Sequence, residues 1–264
     1  MKRRELIIPR CKLDTKVDIP FPQAQVSIYQ PSYEEISLIG ESEFLVGVNA
    51  LSKDYKSLQD NFDSSNLSNF DILMSIISEK NDSSKMIAEA ILKVLFLLFP
   101  NYKVGFTPRA IILQSQDEED KQPHMIDSNN FEIFQQIIYE MFCLSELSGG
   151  IDTEYNPAGD RARALVEQFK KKKELLAELR KERGEDSSKM SLYGRYMNIL
   201  AVGERKDKNV LKKYSVYQLT EEFKRFQLKE GFDYTFQAKM AGATKIKDAK
   251  DWMDEIQFGE SQQD

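Results

Sequence analysis

Histidine and cysteine are almost missing from these 264 residues, which hold one imidazole, His124, and two thiols, Cys11 and Cys143. A structural zinc site needs a full set of closely spaced Cys or His ligands, and a metalloprotease helix needs a histidine pair, so both are excluded. His124, between Pro123 and Met125, would have to serve alone as the imidazole base of any catalytic triad, and it is expected to be a surface loop histidine. Two thiols far apart in sequence make no disulfide framework. No charged stretch leading into an apolar one opens the chain, so a reducing cytosol is the expected compartment. Long apolar runs are also lacking. The strongest, Ile91 to Phe99, is interrupted by Lys93 and reaches about half of the ~20 residues that a membrane-spanning helix needs. The 12 glycines are isolated or paired, so neither a Walker loop nor a dinucleotide fingerprint is present.

Apolar residues make up 41%, aromatics 11% and charged residues 30% of the chain, a composition that builds a core under a strongly solvated surface. Net charge is -6, distributed unevenly: residues 1–150 carry 14 basic and 22 acidic side chains, net -8, against 23 and 21, net +2, in residues 151–264. An acidic whole argues against nucleic acid as a partner, since phosphate neutralisation needs a concentrated basic face.

Pattern predicts a mainly α protein with small β elements, of the α+β class. It divides into a mixed module over 1–150 and an all-helical module over 151–264. Prolines 9, 20, 22 and 31 bound an extended opening of two or three short strands. Ser32 and Glu35 form a capping box for a helix through Ile36, Ile39 and Phe44. Further helices are expected around Ser52 to Asn61, Asn69 to Glu79, and from Asp82 or Ser83 to Phe99, the last burying Met86, Ala90, Val94 and Leu97 or Leu98. Tyr102 to Phe106 and Ala110 to Leu113 read as a hairpin, and Asn129 to Leu144 as a helix presenting Phe131, Phe134 and Ile138 to the core. Beyond the break at 149–159 the chain becomes rich in Lys, Arg, Glu and Leu. A long helix is expected over Asp160 to Arg183, another capped at Ser187 or Ser188 and ending at Gly203, and a third capped at Ser215 and stopping near Gly231. Two short helices follow, at Asp233 to Ala241 and Lys247 to Ile256.

No set of residues makes a convincing reactive centre, so the expectation is no enzyme, no cofactor and no metal. The acidic run Asp117 to Asp120 is the only candidate for a metal-dependent hydrolase, and neighbouring loop carboxylates repel and stay solvated. Lys170 to Lys173, interleaved downstream with Glu174, Glu178 and Glu182, reads as a solvated helix face or a contact for an acidic protein. The concentration of rings between Tyr214 and Met240 is greater than a thin helical layer buries easily, which directs attention to protein binding.

The stretch YSVYQLTEEFKRFQLKEGFDYTFQAKMAGA, Tyr214 to Ala243, with Trp252 and Met253, resembles the C-terminal part of tail assembly chaperone proteins of tailed bacteriophages. NPAGDRARALVEQF (Asn156 to Phe169) and SLYGRYMNILAVG (Ser191 to Gly203) are similar to the same group, and Asn130 to Cys143 more faintly so. The opening strands followed by Ser32 to Glu35 are similar to baseplate-hub assembly proteins. The resemblance, carried mainly by residues 156–256, implies a phage tail morphogenesis protein that binds other tail or baseplate proteins, the tape measure protein among them. It would act in the host bacterial cytoplasm during assembly, most simply as a chaperone; the alternative is a structural tail, baseplate or neck subunit of the virion. The residues expected to bind partners are Tyr217, Phe223, Phe226, Tyr234 and Trp252.

Overall fold

Proline shapes the opening of the chain in the computed structural model, which describes residues 7–55, 67–79, 81–117, 122–144, 191–242, 251–254 and 256. Pro9 precedes α1 (Arg10–Asp14), a place where its missing N–H leaves no bond unmade. The expected run of extended structure is therefore broken by one helical turn, closed where the Thr15 hydroxyl donates to the Cys11 carbonyl at 2.5 Å. Two short strands follow, β1 (Ile19–Phe21) and β2 (Val26–Ile28), antiparallel around a 3-10 turn. Their period of two sends Ile19, Phe21, Val26 and Ile28 inward and leaves Pro20 and Ser27 outside.

The capping box forms as expected. Ser32 accepts from the Glu35 amide while the Glu35 carboxylate takes the Ser32 amide at 2.7 Å, starting α2 (Tyr33–Ile39). The helix does not continue to Phe44. Gly40, at φ 92°, turns the chain into a second helix, α3 (Glu41–Ser52), a left-handed conformation that costs glycine nothing. Lys53 is extended, so α3 ends where a further helix was expected to begin; most of that expected span lies outside the described residues. Tyr55 folds back instead, its hydroxyl donating to Ala50 at 2.8 Å, and burial pushes its pKa up to about 12.

A second capping box, Ser68 with Asp71, opens α4 (Asn69–Ser78), and Asn81 caps α5 (Asp82–Leu98). The stripe of α5 is Ala90, Ile91, Val94, Leu95 and Leu98; Met86 is 71% exposed. The crossing with α3 is the reason. It centres where Gly47 lies against Ala90 and Val94, one turn beyond Met86. The hairpin is β3 (Tyr102–Thr107) and β4 (Ala110–Ser115), with Thr107 opposite Ala110 across a two-residue turn. A third strand, β5 (His124–Ile126), pairs with β4. His124 is thus a strand residue and not a loop one, with Nδ1 3.1 Å from the Ala24 carbonyl and its ring edge-on to Tyr102. A strand of three residues ending an acidic loop is too short to leave a readable alternation.

Helix α6 (Phe131–Met141) carries the centre of the core. The Phe134 ring lies 5.9 Å from Phe21, 6.1 Å from Phe99 and 6.2 Å from Phe131, and Phe131 lies 5.3 Å from Phe70. One chain of rings thereby joins the ribbon, α4, α5 and α6, each ring contributing about 1.5–3 kcal/mol through burial. Buried amides fix the loops around it. Gln135 donates to the carbonyls of Leu51 and Lys53 at 3.0 and 2.9 Å and accepts from Asn69.

The C-terminal helices are α7 (Leu192–Gly203), capped by Ser191, then α8 (Lys208–Leu211) and α9 (Val216–Met240). The cap of α7 is Ser191 instead of Ser187 or Ser188. Helix α9 runs through Gly231, so the separate helix expected from Asp233 is its continuation. One interior glycine costs about 1 kcal/mol, and the Lys229–Asp233 pair (3.4 Å) and the Thr235 hydroxyl bond to Gly231 O (2.8 Å) span it. Residues 251–254 form a turn, with Met253 N donating to Asp251 at 2.9 Å, where the final helix was expected.

The fold is α+β, helical with one two-stranded and one three-stranded antiparallel sheet among the described residues. Leu211, Val216 and Leu219 share a single buried cluster with Ile36, Phe44 and Phe134. The expected long helix at 160–183 and the boundary expected at 150/151 lie outside the described residues.

Candidate partner-binding surface

Helices α7 and α9 are set on the rest of the molecule by their first turns. Ser191 accepts from Gly194 N at 2.8 Å and its hydroxyl meets Tyr33 Oη at 2.9 Å. The carboxylate of Glu41, first residue of α3, takes the Ser191 hydroxyl and the amides of Leu192 and Tyr193, two of the donors left free at a helix start. Ser215 caps α9 through a third box, with Gln218, and bridges Ser32 at the start of α2. Backbone bonds from Tyr33 N to Tyr214 O (2.9 Å) and Glu34 N to Lys212 O (2.8 Å) complete the junction.

Between the two helices the packing is aromatic and close. Tyr196 and Phe223 stack at 4.0 Å with an interplanar angle of 11°. Gly203 lies under the Phe226 ring so tightly that a Cβ there would be 2.4 Å from Cζ. Phe226 and Gly203 border an open groove of about 840 Å³ that also takes in Tyr33, Met197, Ile199 and Val202. Val202 is 81% exposed at its edge, and Tyr234, Phe236 and Met240 are 69%, 58% and 76% exposed on the distal part of α9. Exposed rings and thioethers on one helix end are what protein interfaces use at their centres. After α7, Lys206 is held by Glu222 (2.6 Å) and Glu204 (3.1 Å) against the Tyr214 ring. Burial alone lowers the Lys206 pKa, but these carboxylates outweigh it and keep the ammonium charged to higher pH.

The five residues expected to bind partners are not gathered into one patch. Tyr217 is buried in the core, its phenol pKa raised by burial above all, so it supports the surface from within. Phe223 and Phe226 face α7. Tyr234 is eight residues beyond Phe226, about 12 Å along the axis. Trp252 is half-buried, its carbonyl accepting from Arg225 at 2.7 Å. Sequence reading missed the α7 side of the groove, Met197 and Val202, because a stripe of apolar residues reads as core. It also missed Tyr33, brought in by its bonds to the Tyr214 carbonyl and the Ser191 hydroxyl. The signal that was available is Gly194 with Gly203, two small residues on a short helix, where close approach is expected.

Among the described residues no three His, Cys, Asp or Glu side chains converge as metal ligands, and no helix is long and apolar enough to cross a membrane. The acidic residues 118–120 lie outside the described residues.

Residues 187–257 match the sequence model of a phage-type family, the YomV second domain. No curated protein and no solved structure matches the chain. The matched span begins just before α7 and takes in all of α9 and the turn at Trp252, so the α7 and α9 walls of the groove and the exposed distal rings fall inside it, while Tyr33 lies outside.

Proposed function

We propose that this is a non-enzymatic phage morphogenesis protein that binds other tail proteins through the α7/α9 surface, acting as a tail assembly chaperone in the host cytoplasm. The observation that supports it most is the coincidence of the phage-type match with the stretch bearing Val202, Phe226, Tyr234, Phe236 and Met240. Affinity would come from a few rings closing against a partner's apolar face, with the charged flanks of α9 steering the encounter. Tail or baseplate proteins, the tape measure protein first, are the partners to test.

The test is site-specific crosslinking in cells during phage production, with a photoreactive residue at 202, 234 or 236. A tail or baseplate protein crosslinked at these positions, and lost when Phe226 and Tyr234 are replaced by alanine, is the expected result. Crosslinks to no phage protein from any of the three positions would refute the reading. Mass spectrometry of purified particles then separates its two forms: absence marks a chaperone, and stoichiometric presence marks a virion subunit.

A further inference from the structure

Strand β3 is an outer strand of the three-stranded sheet, which runs in the order β3, β4, β5. Its pairing with β4 is unbroken from Tyr102 opposite Ser115 to Thr107 opposite Ala110. The two-residue turn makes Thr107 and Ala110 a hydrogen-bonded pair, and at the other end the Gln116 amide donates to the Asn101 carbonyl at 3.0 Å, in step with the same alternation. The main chain of Lys103, Gly105 and Thr107 therefore faces β4, while the N–H and C=O of Val104 and Phe106 face away from it. No hydrogen bond meets these four groups among the described residues. The side chains of Val104 and Phe106 pack on the core but are only half-buried, so the apolar layer of Ile111, Leu113 and Ile126 is incompletely covered at β3.

In the middle of this strand stands Gly105. Glycine weakens a strand, and it marks a positive φ, a bulge or a place where another backbone comes close. The β3/β4 register has no bulge, Gly105 is not among the residues of positive φ, and a Cβ added to it would meet nothing within 4 Å. Backbone demand and internal crowding are both removed, which leaves approach from outside. Across the outer face the same row continues into Ile112 and then Met125, 50% exposed, so a ring laid over Gly105 from a neighbouring strand would reach Ile112, in the way that rings cover edge glycines. Lys103, exposed on that face, is the one charge of the strand; proline and a bulge, the other guards of a free edge, are missing. We infer that β3 is a docking edge that takes an extended segment of a partner protein as a further antiparallel strand, paired through the main chain of Val104 and Phe106. The segment is apolar at its two inward positions and carries a ring beside Gly105 and an acid beside Lys103. A second copy of β3, paired about Gly105, would set glycine beside glycine and leave that space unfilled. The edge lies outside the matched span 187–257, so this contact stands apart from the α7/α9 surface.

The experiment uses the full chain and a fluorescein-labelled peptide, Ser-Glu-Val-Phe-Val-Glu-Ser, read by anisotropy; its side chains follow the pattern above and read the same in both directions. The parent peptide is expected to bind. Its form N-methylated at both valines keeps every side chain but loses the donors that pair with Val104 and Phe106, and is expected not to bind. Gly105→Thr places a side chain where the ring would lie. Threonine suits a strand better than glycine, so the thermal midpoint should hold or rise while binding falls by about tenfold, the order expected for a side chain pressed into a packed contact. Lys103→Gln should weaken binding by about twofold to fivefold, the worth of one exposed ion pair. Absence of binding by the parent peptide, equal binding of its N-methylated form, or unchanged binding by folded Gly105→Thr would overturn the inference. So would a chain that dimerises in sedimentation and becomes monomeric on Gly105→Thr, which marks the edge as a contact between two copies. Each of these results leaves the crosslinking test at α7 and α9 unaffected.

Discussion

Replacing Gly47 by alanine sets two known effects against each other. Alanine favours a helix interior over glycine by about 0.8–1.0 kcal/mol, so on propensity alone Gly47→Ala in α3 is stabilising. The crossing of α3 over α5 says otherwise. A Cβ at this position would lie 2.5 Å from the Ala90 carbonyl oxygen and 2.7 Å from Val94 Cγ2, against 3.4 Å for ordinary contact. The obstacle is backbone, so the helices must separate by roughly 0.9 Å or bend, and Val48, Ile91 and Val94, each fully buried, separate with them. Overpacking of this kind costs about 1–3 kcal/mol, which after the propensity gain leaves a net loss of about 0–2 kcal/mol. For a chain of this size each kcal/mol moves Tm by about 2–4 °C. Gly231→Ala is the control, since Gly231 lies inside α9, is exposed and has nothing within 4 Å of a new Cβ. It should raise Tm by about 2–4 °C. Calorimetry or circular dichroism melts of both variants decide the matter through the sign of their difference. Equal stabilisation by both would mean that α3 and α5 do not approach as closely as described.

Glu41→Ala removes the shared carboxylate from the start of α7 and should cost about 1–2 kcal/mol in denaturant unfolding, with faster amide exchange at Leu192 and Tyr193. Gln135→Ala leaves the Leu51 and Lys53 carbonyls without their donor, a loss of about 2–4 kcal/mol in the same assay. Burial pushes the Glu35 carboxyl up, but hydrogen bonds from Ser32 and Tyr29 and the charge of Lys16 outweigh it and hold its pKa below the ordinary 4.5. A depressed folded pKa means that its stabilisation is full above 4.5 and is lost as pH falls through the folded value. Glu35→Gln should therefore flatten the acid limb of the stability profile, and an unchanged limb would count against the capping box as an ionised one. Gly203→Ala drives a Cβ into the Phe226 ring, and since a side chain yields more easily than backbone, partner capture should fall further than Tm does.

Local chemistry made the helix starts legible. Ser32 with Glu35 and Ser215 are caps whose side chains need only their own next turn, and both form as expected. The hairpin at Thr107 to Ala110 is local in the same sense. What escaped depends on distant partners or on small energy differences. Gly40 and Gly231 are both glycines inside helical patterns, yet one breaks the helix and the other is carried through. Nothing within a few residues distinguishes them; α2 and α3 both have a core to reach, whereas α9 near Gly231 is largely solvent-facing. Strand β5 exists because β4 offers it an edge. The aromatic wealth of α9 was visible, but its division between Tyr217 inside, Phe223 and Phe226 against α7, and Tyr234 outside follows from where α7 docks. The α7 half of the groove could not be read at all without that docking.

The bridge between Ser32 and Ser215 has a consequence for synthesis. Two helix starts separated by 183 positions meet there, and the cluster holding Ile36 is closed by Leu211, Val216 and Leu219. A ribosome adding about 5–20 residues per second leaves Ile36 waiting roughly ten to forty seconds for its cover. Nascent chains cut short before Leu219 would carry an open apolar flank, which makes early termination products the natural substrates of the host's own holding factors and proteases.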